Sequence, residues 1–237
     1  MRRPEVILFD LWGTLISSDG FDPGLGNGAV LKSSDNPRRV TLEQVQGLGN
    51  RVMSALEGRE DQSALEFTQA ALLHIIEDSF DLRFRNSMEE TEWQFWSAAM
   101  DVRLIDGVRE LLAHLQARGI RMAVVSNSSF AGRTLERELE GHGIRGHFEF
   151  VISSADYGIR KPDPIIFEIA LRRLDIDAAR AWFAGDNVAY DIVGAMSAGI
   201  FPVAFNPRAP IPGSIGAHAV ISQWSQLLPL VDQAPAG

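Results

Sequence analysis

No cysteine occurs among the 237 residues, which excludes disulfides, thiolate metal centres and a cysteine nucleophile. Lysine is nearly absent too: the 22 basic residues include only Lys32 and Lys161. A chain that makes its surface charge with arginine draws attention to any position where a compact ammonium is kept. An excess of positive charge is also missing. The formal net charge of -9 offers no broad attraction to nucleic acid or to an anionic membrane, so phosphate recognition must come from a few local donors. No apolar run reaches membrane-spanning length. Arg2 and Arg3 precede an apolar stretch, but Asp10 interrupts it and no small-residue cleavage site follows, so the expectation is a cytoplasmic chain. The five histidines (His74, His114, His142, His147, His218) lack ligand-like spacing and read as exposed or packing residues. Repeats and low-complexity segments are absent.

What is present is an alternation. EVILFD (5–10) is a continuous apolar run ending on a polar residue, which fits a strand buried on both faces of a parallel sheet. From Asp106 onward helix and strand patterns alternate: GVRELLAHLQARG, then IRMAVVSN, a helix over 130–142, FEFVISS, PIIFEIALRRL with proline at its start, ARAWFAGD, AYDIVGAMSAG, IFPVAF, HAVIS and QWSQLLPLV. This predicts an α/β fold with a doubly wound parallel sheet. Residues 19–39, rich in Gly, Ser, Asp, Asn and Pro, read as a loop or hinge. Residues 40–101 carry three amphipathic helical patterns, 40–58, 61–80 and 87–100, the last with Ser87 and Glu90 spaced as a capping box. The expected organisation is a core of 1–17 and 102–237 with an all-helical subdomain, 18–101, inserted in it.

In such sheets ligands bind beyond the carboxyl ends of the strands. The polar residues there are Asp10, Ser126 with Asn127, and Asp186, with Asp191 about one turn later and Lys161 in a loop after another strand. Carboxylates gathered in one crevice stay ionised only with a cation between them. An all-oxygen set suits Mg²⁺. A carboxylate beside such an ion is a candidate nucleophile toward phosphorus. The Ser126 hydroxyl, the Lys161 ammonium and backbone amides after Asp10 would then bind the phosphoryl oxygens.

The ordered set resembles the haloacid dehalogenase (HAD) superfamily of hydrolases. FDLWGTL matches its first motif, VVSN its second, GIRKPDPIIF its third and GDNVAYDIVGA its fourth, over residues 5–205, and the helical insert stands where that family places a helical cap. The resemblance implies that Asp10 is the nucleophile and that Ser126, Asn127, Lys161 and Thr14 bind the phosphate. It implies that Asp10, the Trp12 carbonyl and Asp186 hold Mg²⁺, that Asp191 supports the metal or orients Lys161, and that Thr14 braces the first loop. The implied partner is a small-molecule substrate selected by the cap, with the protein a monomer or homodimer. Trp93, Phe95 and Trp96 in the cap read as core packing.

One position departs from the pattern. Most phosphatases of this family carry a second aspartate two residues after the nucleophile, as proton donor and later base; here Trp12 stands there and does neither. General acid–base catalysis typically supplies roughly 10²- to 10⁴-fold. Three enzymatic readings follow: a Mg²⁺-dependent phosphatase acting on substrates with good leaving groups, a metal-independent dehalogenase, or a relative of phosphonoacetaldehyde hydrolases with Lys32 as the cap lysine. Dehalogenases often have an aromatic residue at the position of Trp12 but usually replace the aspartate equivalent to Asp186. They also carry an arginine-centred cap segment, for which only Arg38, Arg39 and Arg51 offer substitutes here. A catalytically weakened binding protein is the non-enzymatic reading.

Overall fold

The computed structural model describes residues 2–57, 65–206 and 219–235. Its core is a parallel sheet with β1 (Val6–Phe9) at the centre, flanked by β6 (Arg121–Ser126) and β8 (Ala181–Gly185). β7 (Val151–Ser153) extends one side and β9 (Phe201–Phe205) and β10 (Ala219–Ile221) the other, giving the order β10-β9-β8-β1-β6-β7. The doubly wound α/β class expected from the alternation is therefore the observed one. β1 shows why the run is uniformly apolar. Ile7 and Phe9 enter a cluster with Phe148, Trp182 and Trp224, while Val6 and Leu8 enter another with Ile166, Phe167 and Phe183. Alternate side chains point to opposite faces, and both faces are covered. The helices that cover them are α5 (Val108–Ala117), α6 (Gly132–Gly141), α7 (Ser154–Tyr157), α8 (Pro164–Leu174), α9 (Val193–Ser197) and α10 (Leu227–Gln233). α8 starts where the sequence requires it: Asp163 accepts from the Ile165 N–H and Pro164 fills the first turn.

An antiparallel ribbon of β2 (Ile16–Phe21) and β5 (Met100–Leu104) carries the chain out of the core and back. Beyond it lie α1 (Pro23–Lys32), α2 (Leu42–Glu57), α3 (Gln69–Phe80) and α4 (Met88–Ala99). The insert is helical except for a two-residue pairing of β3 (Ser34–Asp35) with β4 (Arg83–Phe84).

The expected loop over 19–39 is instead strand end, helix and bridge. Asp22 caps α1 by accepting from the N–H groups of Gly24 and Leu25, and Pro23 opens the helix. The glycines that suggested a loop serve packing: a Cβ at Gly26 would stand 2.7 Å from the Phe95 ring of α4. The second amphipathic pattern is shorter than expected. α3 starts at Gln69 behind a Thr68 cap, residues 66–68 before it are irregular, and 58–64 lie outside the described residues. The helix expected after Asp186 opens as a π-helical turn, Val188–Ile192, with the Ile192 N–H reaching the Asn187 carbonyl at 3.3 Å and the Asn187 side chain accepting from the N–H groups of Ala189 and Tyr190.

The helical insert and the sheet domain are tied by buried polar contacts as well as apolar ones. Glu92 of α4 accepts from the Ala131 N–H and the Thr134 hydroxyl of α6, each at 2.7 Å. Trp96 donates its indole N–H to Glu138 at 2.6 Å. Between α2 and α3, the Glu66 N–H donates to the Gly158 carbonyl at 3.0 Å, and its carboxylate accepts from Ser154 at 2.6 Å.

Candidate active site

The register of β1 sets the site. Phe9 lies opposite Val124 on one side and Ala184 on the other, so Asp10 emerges between the ends of β6 and β8. Its N–H is fixed by the Ala184 carbonyl at 2.9 Å. Asp10, Asp186 and Asp191 each bring a carboxylate oxygen within 4.8 Å of the others. These side chains come from two separate strand ends and the turn after one of them, so the clustering is a product of topology rather than of sequence proximity.

Lys161 reaches into the group from the loop before α8. Its ammonium is 2.6 Å from Asp10 Oδ1 and 2.6 Å from Asp191 Oδ1, and it is 1% exposed. The backbone that delivers it is clamped by Asn127, whose side-chain oxygen accepts from the Lys161 N–H (2.8 Å) and whose amide donates to the Lys161 carbonyl (2.9 Å). The Lys161–Pro162 peptide bond is cis. Asp191 is held as firmly: Oδ1 takes the lysine and Oδ2 accepts from the Asn187 N–H at 2.9 Å.

Two glycines make room. Gly13 has φ +71° and a Cβ there would fall 2.2 Å from Asp186 Oδ2, which fixes Asp186 against the first loop. A Cβ at Gly185 would fall 2.4 Å from Asp191 Oδ2. Both residues are therefore demanded by the carboxylates and not by the turns alone.

The electrostatics are unbalanced. Three carboxylates share one polar pocket with the Lys161 ammonium and the Arg160 guanidinium. Burial pushes Asp10 up to about 7; Lys161 opposes the shift, while Asp191 and Asp186 add to it. For Lys161, burial pulls the ammonium down, but Asp10 and Asp191 outweigh it and the net direction is up. An all-oxygen cluster in which Asp191 and Asp186 help push the Asp10 carboxyl up fits a divalent cation, the preference of Mg²⁺ for carboxylate oxygens included.

A pocket of about 310 Å³ is lined by Asp10, Trp12, Asn127, Lys161, Asp186 and Asp191, together with Gly13, Arg160, Asn187 and Tyr190. Six of the expected site residues thus meet in one place. Thr14 and Ser126 lie behind it, fully buried. Thr14 donates to Asp10 Oδ2 at 3.3 Å and does not line the pocket, and Ser126 sits at the end of β6. The Trp12 indole turns toward the cap and packs on Trp96 with ring centroids 5.6 Å apart. Phe95 and Trp96 are core residues, 1% and 0% exposed, as read from their spacing. Lys32, Arg38, Arg39 and Arg51 do not line the pocket, and among the described residues no histidine joins the carboxylate group; His218 lies outside them.

Sequence reasoning missed Arg160 and Tyr190. Arg160 stands at the rim with its guanidinium 5.7 Å from the Tyr190 ring centroid and 3.6 Å from Glu66 of the cap, and its Nε has no hydrogen-bond partner. Its place next to Lys161 in GIRKPDP was the available signal. Asn127 was assigned to phosphate, yet both ends of its side chain are occupied by the Lys161 backbone.

A family model described as haloacid dehalogenase-like hydrolase matches residues 4–199. Haloacid dehalogenase-like hydrolase domain-containing protein 3 of Homo sapiens is 35% identical over 134 residues, 55% of this chain and 52% of that one. The chain thus spans about half the length of that relative. A phosphoglycolate phosphatase of Photobacterium profundum is 28% identical over 97% of this chain and 96% of its own. Among solved structures, a 2-haloacid dehalogenase from Pseudomonas syringae pv. Tomato DC3000 is similar with a TM-score of 0.62 and 26% identity, covering 98% of each chain.

Proposed function

We propose that this chain, which belongs to the haloacid dehalogenase-like hydrolase family, is a Mg²⁺-dependent phosphatase of a small phosphorylated metabolite, limited to phosphates whose leaving group departs without a protein proton donor. The observation that carries this is the carboxylate group itself: Asp186 lies within 4.8 Å of Asp10 and Asp191, an all-oxygen set of the kind a hard divalent ion takes. Asp10 and Asp186 would hold the ion, with the Trp12 carbonyl beside them. Asp191, whose oxygens are both taken, would hold Lys161. When bound, Mg²⁺ supplies Lewis-acid polarisation of a phosphoryl oxygen and cancels charge in the site.

The chain's own residues do the rest. An Asp10 oxygen attacks phosphorus, forming the O–P bond of an aspartyl phosphate as the bond from phosphorus to the leaving oxygen breaks. The Lys161 ammonium stabilises charge on the phosphoryl oxygens, whereas the Ser126 hydroxyl expected to join it is fully buried outside the pocket lining and points to the Asn127 carbonyl at 3.4 Å. The leaving oxygen carries its electron pair away and takes its proton from water, because Trp12 has none to give. Water then attacks the aspartyl phosphate, releasing inorganic phosphate and restoring the Asp10 carboxylate. Arg160, the one arginine among the described lining residues and 3.6 Å from Glu66, would meet an anionic substrate on entry. The expected setting is the cytoplasm, as monomer or homodimer; among the described residues no helix is long and apolar enough to cross a membrane.

A second reading, dehalogenation with Asp10 attacking carbon, is favoured by Trp12, since halide leaves unprotonated, and by the 26% identical dehalogenase. One assay separates the two. Purified protein is given p-nitrophenyl phosphate or 2-chloropropionate, with Mg²⁺ or EDTA, and phosphate and chloride are both measured. Phosphate release that needs Mg²⁺ and disappears in Asp10→Asn supports the phosphatase. Chloride release unchanged by EDTA, without phosphate release, overturns it.

A further inference from the structure

The carboxylate pocket opens onto further surface. Trp12 and Gly13, which line it, also line a shallow groove of about 410 Å³ along the ribbon that joins the insert to the sheet domain. Phe21, another wall of that groove, is shared in turn with a cavity of about 450 Å³ between α1, α2 and α3. The three spaces therefore adjoin in the order pocket, groove, cavity, and Trp12 stands where the first meets the second.

The groove is apolar for a reason of register. Phe21 of β2 and Met100 of β5 are direct partners across the antiparallel ribbon, which puts their side chains on one face, and both line the groove. Phe21 is 51% exposed, although its ring packs on the buried Phe95 and Phe130 with centroids 6.1 and 6.4 Å away. The Trp12 indole is partly buried and backed by Trp96. Rings braced from behind and open in front offer a surface to another ring.

Free charge is missing from this tract. The charged side chains among the described lining residues of groove and cavity are Asp19 and Asp22; the first pairs with Arg103 and the second caps α1. Among those residues there is no lysine, arginine or histidine. The Ser18 hydroxyl is turned back on Gly20, donating to its carbonyl at 2.6 Å and accepting from its N–H at 3.2 Å. A carboxylate or second phosphate lying here would lose hydration with no cation to receive it.

We propose that the groove receives the leaving group, and that the substrate is a phosphate monoester of an uncharged aromatic hydroxyl compound. Its phosphate enters the carboxylate pocket and its ring lies over Trp12 toward Phe21 and Met100. This inference rests on the phosphatase reading and deepens it. With Trp12 in place of a proton donor, the leaving oxygen must be acidic, which a phenolic oxygen is and an alkyl one is not. The missing acid and the apolar pair beside it thus select the same class of compound.

The test gives the full chain, with Mg²⁺, four substrates: 2-naphthyl phosphate, phenyl phosphate, 6-carboxy-2-naphthyl phosphate and acetyl phosphate. Phenol and 2-naphthol leave with similar ease, so their esters differ chiefly in the ring area offered to the groove. Acetyl phosphate has a good leaving group and no ring. The naphthyl ester should exceed the phenyl ester at least about tenfold in kcat/KM, chiefly through KM. The 6-carboxylate should lose that advantage, and Phe21→Ser and Met100→Ser should each shrink the naphthyl-to-phenyl ratio severalfold. Phe21 also packs on Phe95 and Phe130, so Met100→Ser keeps the test open if Phe21→Ser does not fold. Equal constants for the two uncharged aryl esters, an advantage kept by the 6-carboxylate, or a ratio unchanged in the folded variants overturns the groove assignment. Acetyl phosphate hydrolysis then leaves the phosphatase reading standing. Absence of Mg²⁺-dependent phosphate release from all four esters overturns both.

Discussion

The Lys161 ammonium bridges Asp10 and Asp191, 2.6 Å from an oxygen of each, across 151 and 30 residues of sequence. The Asp186 carboxylate lies against Gly13, where a Cβ would stand 2.2 Å from its Oδ2. Asp10 and Asp191 thereby both hold the lysine, and all three carboxylates line the pocket. That division organises what the site's variants should do.

Removing the ammonium should be costly for the fold as well as for turnover. Lys161→Met leaves Asp10 and Asp191 buried without a counter-charge, and breaking a buried pair of this kind costs about 3–5 kcal/mol. Urea unfolding without divalent ion should show a loss of that size, and added Mg²⁺ should recover part of it by supplying positive charge. Hydrolysis should fall by roughly 10²-fold or more, as for loss of a main oxyanion donor. A variant as stable as the parent in EDTA would show that the bridge carries no net energy.

The response to Mg²⁺ should depend on pH with a definite sign. Burial raises Asp10 from its ordinary 3.8 to about 7, with Lys161 opposing and Asp191 and Asp186 adding to the shift. For a carboxylate raised in the folded state, the stabilisation is complete below 3.8 and is lost as pH climbs through about 7. The metal-free protein therefore loses this contribution toward alkaline pH. An ion on Asp10 must displace its proton below that range and meets a free carboxylate above it, so the rise in melting temperature caused by Mg²⁺ should be larger at pH 8 than at pH 5.5. Asp10→Asn should flatten the difference. Equal Mg²⁺ shifts at both pH values in the parent would contradict the account.

How much of this was legible in the sequence follows from what kind of information each part needs. Asp10, Ser126, Asp186 and Lys161 could be picked out because strand-end polar residues of a parallel sheet share one edge, and the alternation that locates those ends is a local pattern. α1 was not legible, because Gly24, Gly26 and Gly28 resemble loop composition until Phe95 is seen lying against Gly26. The role of Asn127 was hidden for a similar reason: its partner is the backbone of a residue 34 positions away. Trp12 could be recognised as a missing acid, but not as the ring that seats Trp96 of the cap. Arg160 and Glu66 meet only because cap and core fold onto each other.

The seam between cap and core supplies a prediction that involves no metal. Burial holds the Glu92 carboxyl above its usual range, against the lowering effect of the Thr134 and Ala131 hydrogen bonds. As a raised acid, it contributes fully below its ordinary 4.5 and less as pH rises through its folded value. Glu92→Gln keeps the accepting oxygen and removes the charge. In excess Mg²⁺, which silences Asp10, thermal unfolding of the variant should vary less with pH than that of the parent and should match or exceed it at pH 8. A variant less stable at pH 8 than at pH 5, by the same margin as the parent, would locate the pH dependence elsewhere.

Gly13 offers the sharpest separation of metal binding from folding. Alanine there meets two independent obstacles. The φ of +71° lies in the left-handed region, which costs a non-glycine residue about 1–2 kcal/mol, and the new methyl would stand 2.2 Å from Asp186 Oδ2. The backbone term weakens the fold whether or not metal is present. The steric term acts only on Asp186, which must swing away from Asp10 to admit the methyl. Gly13→Ala should therefore unfold at a somewhat lower temperature and also need about 10- to 100-fold more Mg²⁺ for half-maximal stabilisation, the range seen when a ligand's support is lost. Gly20→Ala is the matched control, because a Cβ there meets nothing within 4 Å and its φ is not positive. If Gly13→Ala loses stability but titrates with Mg²⁺ at the parent's concentration, Asp186 is not part of the metal site and the glycine serves the turn alone.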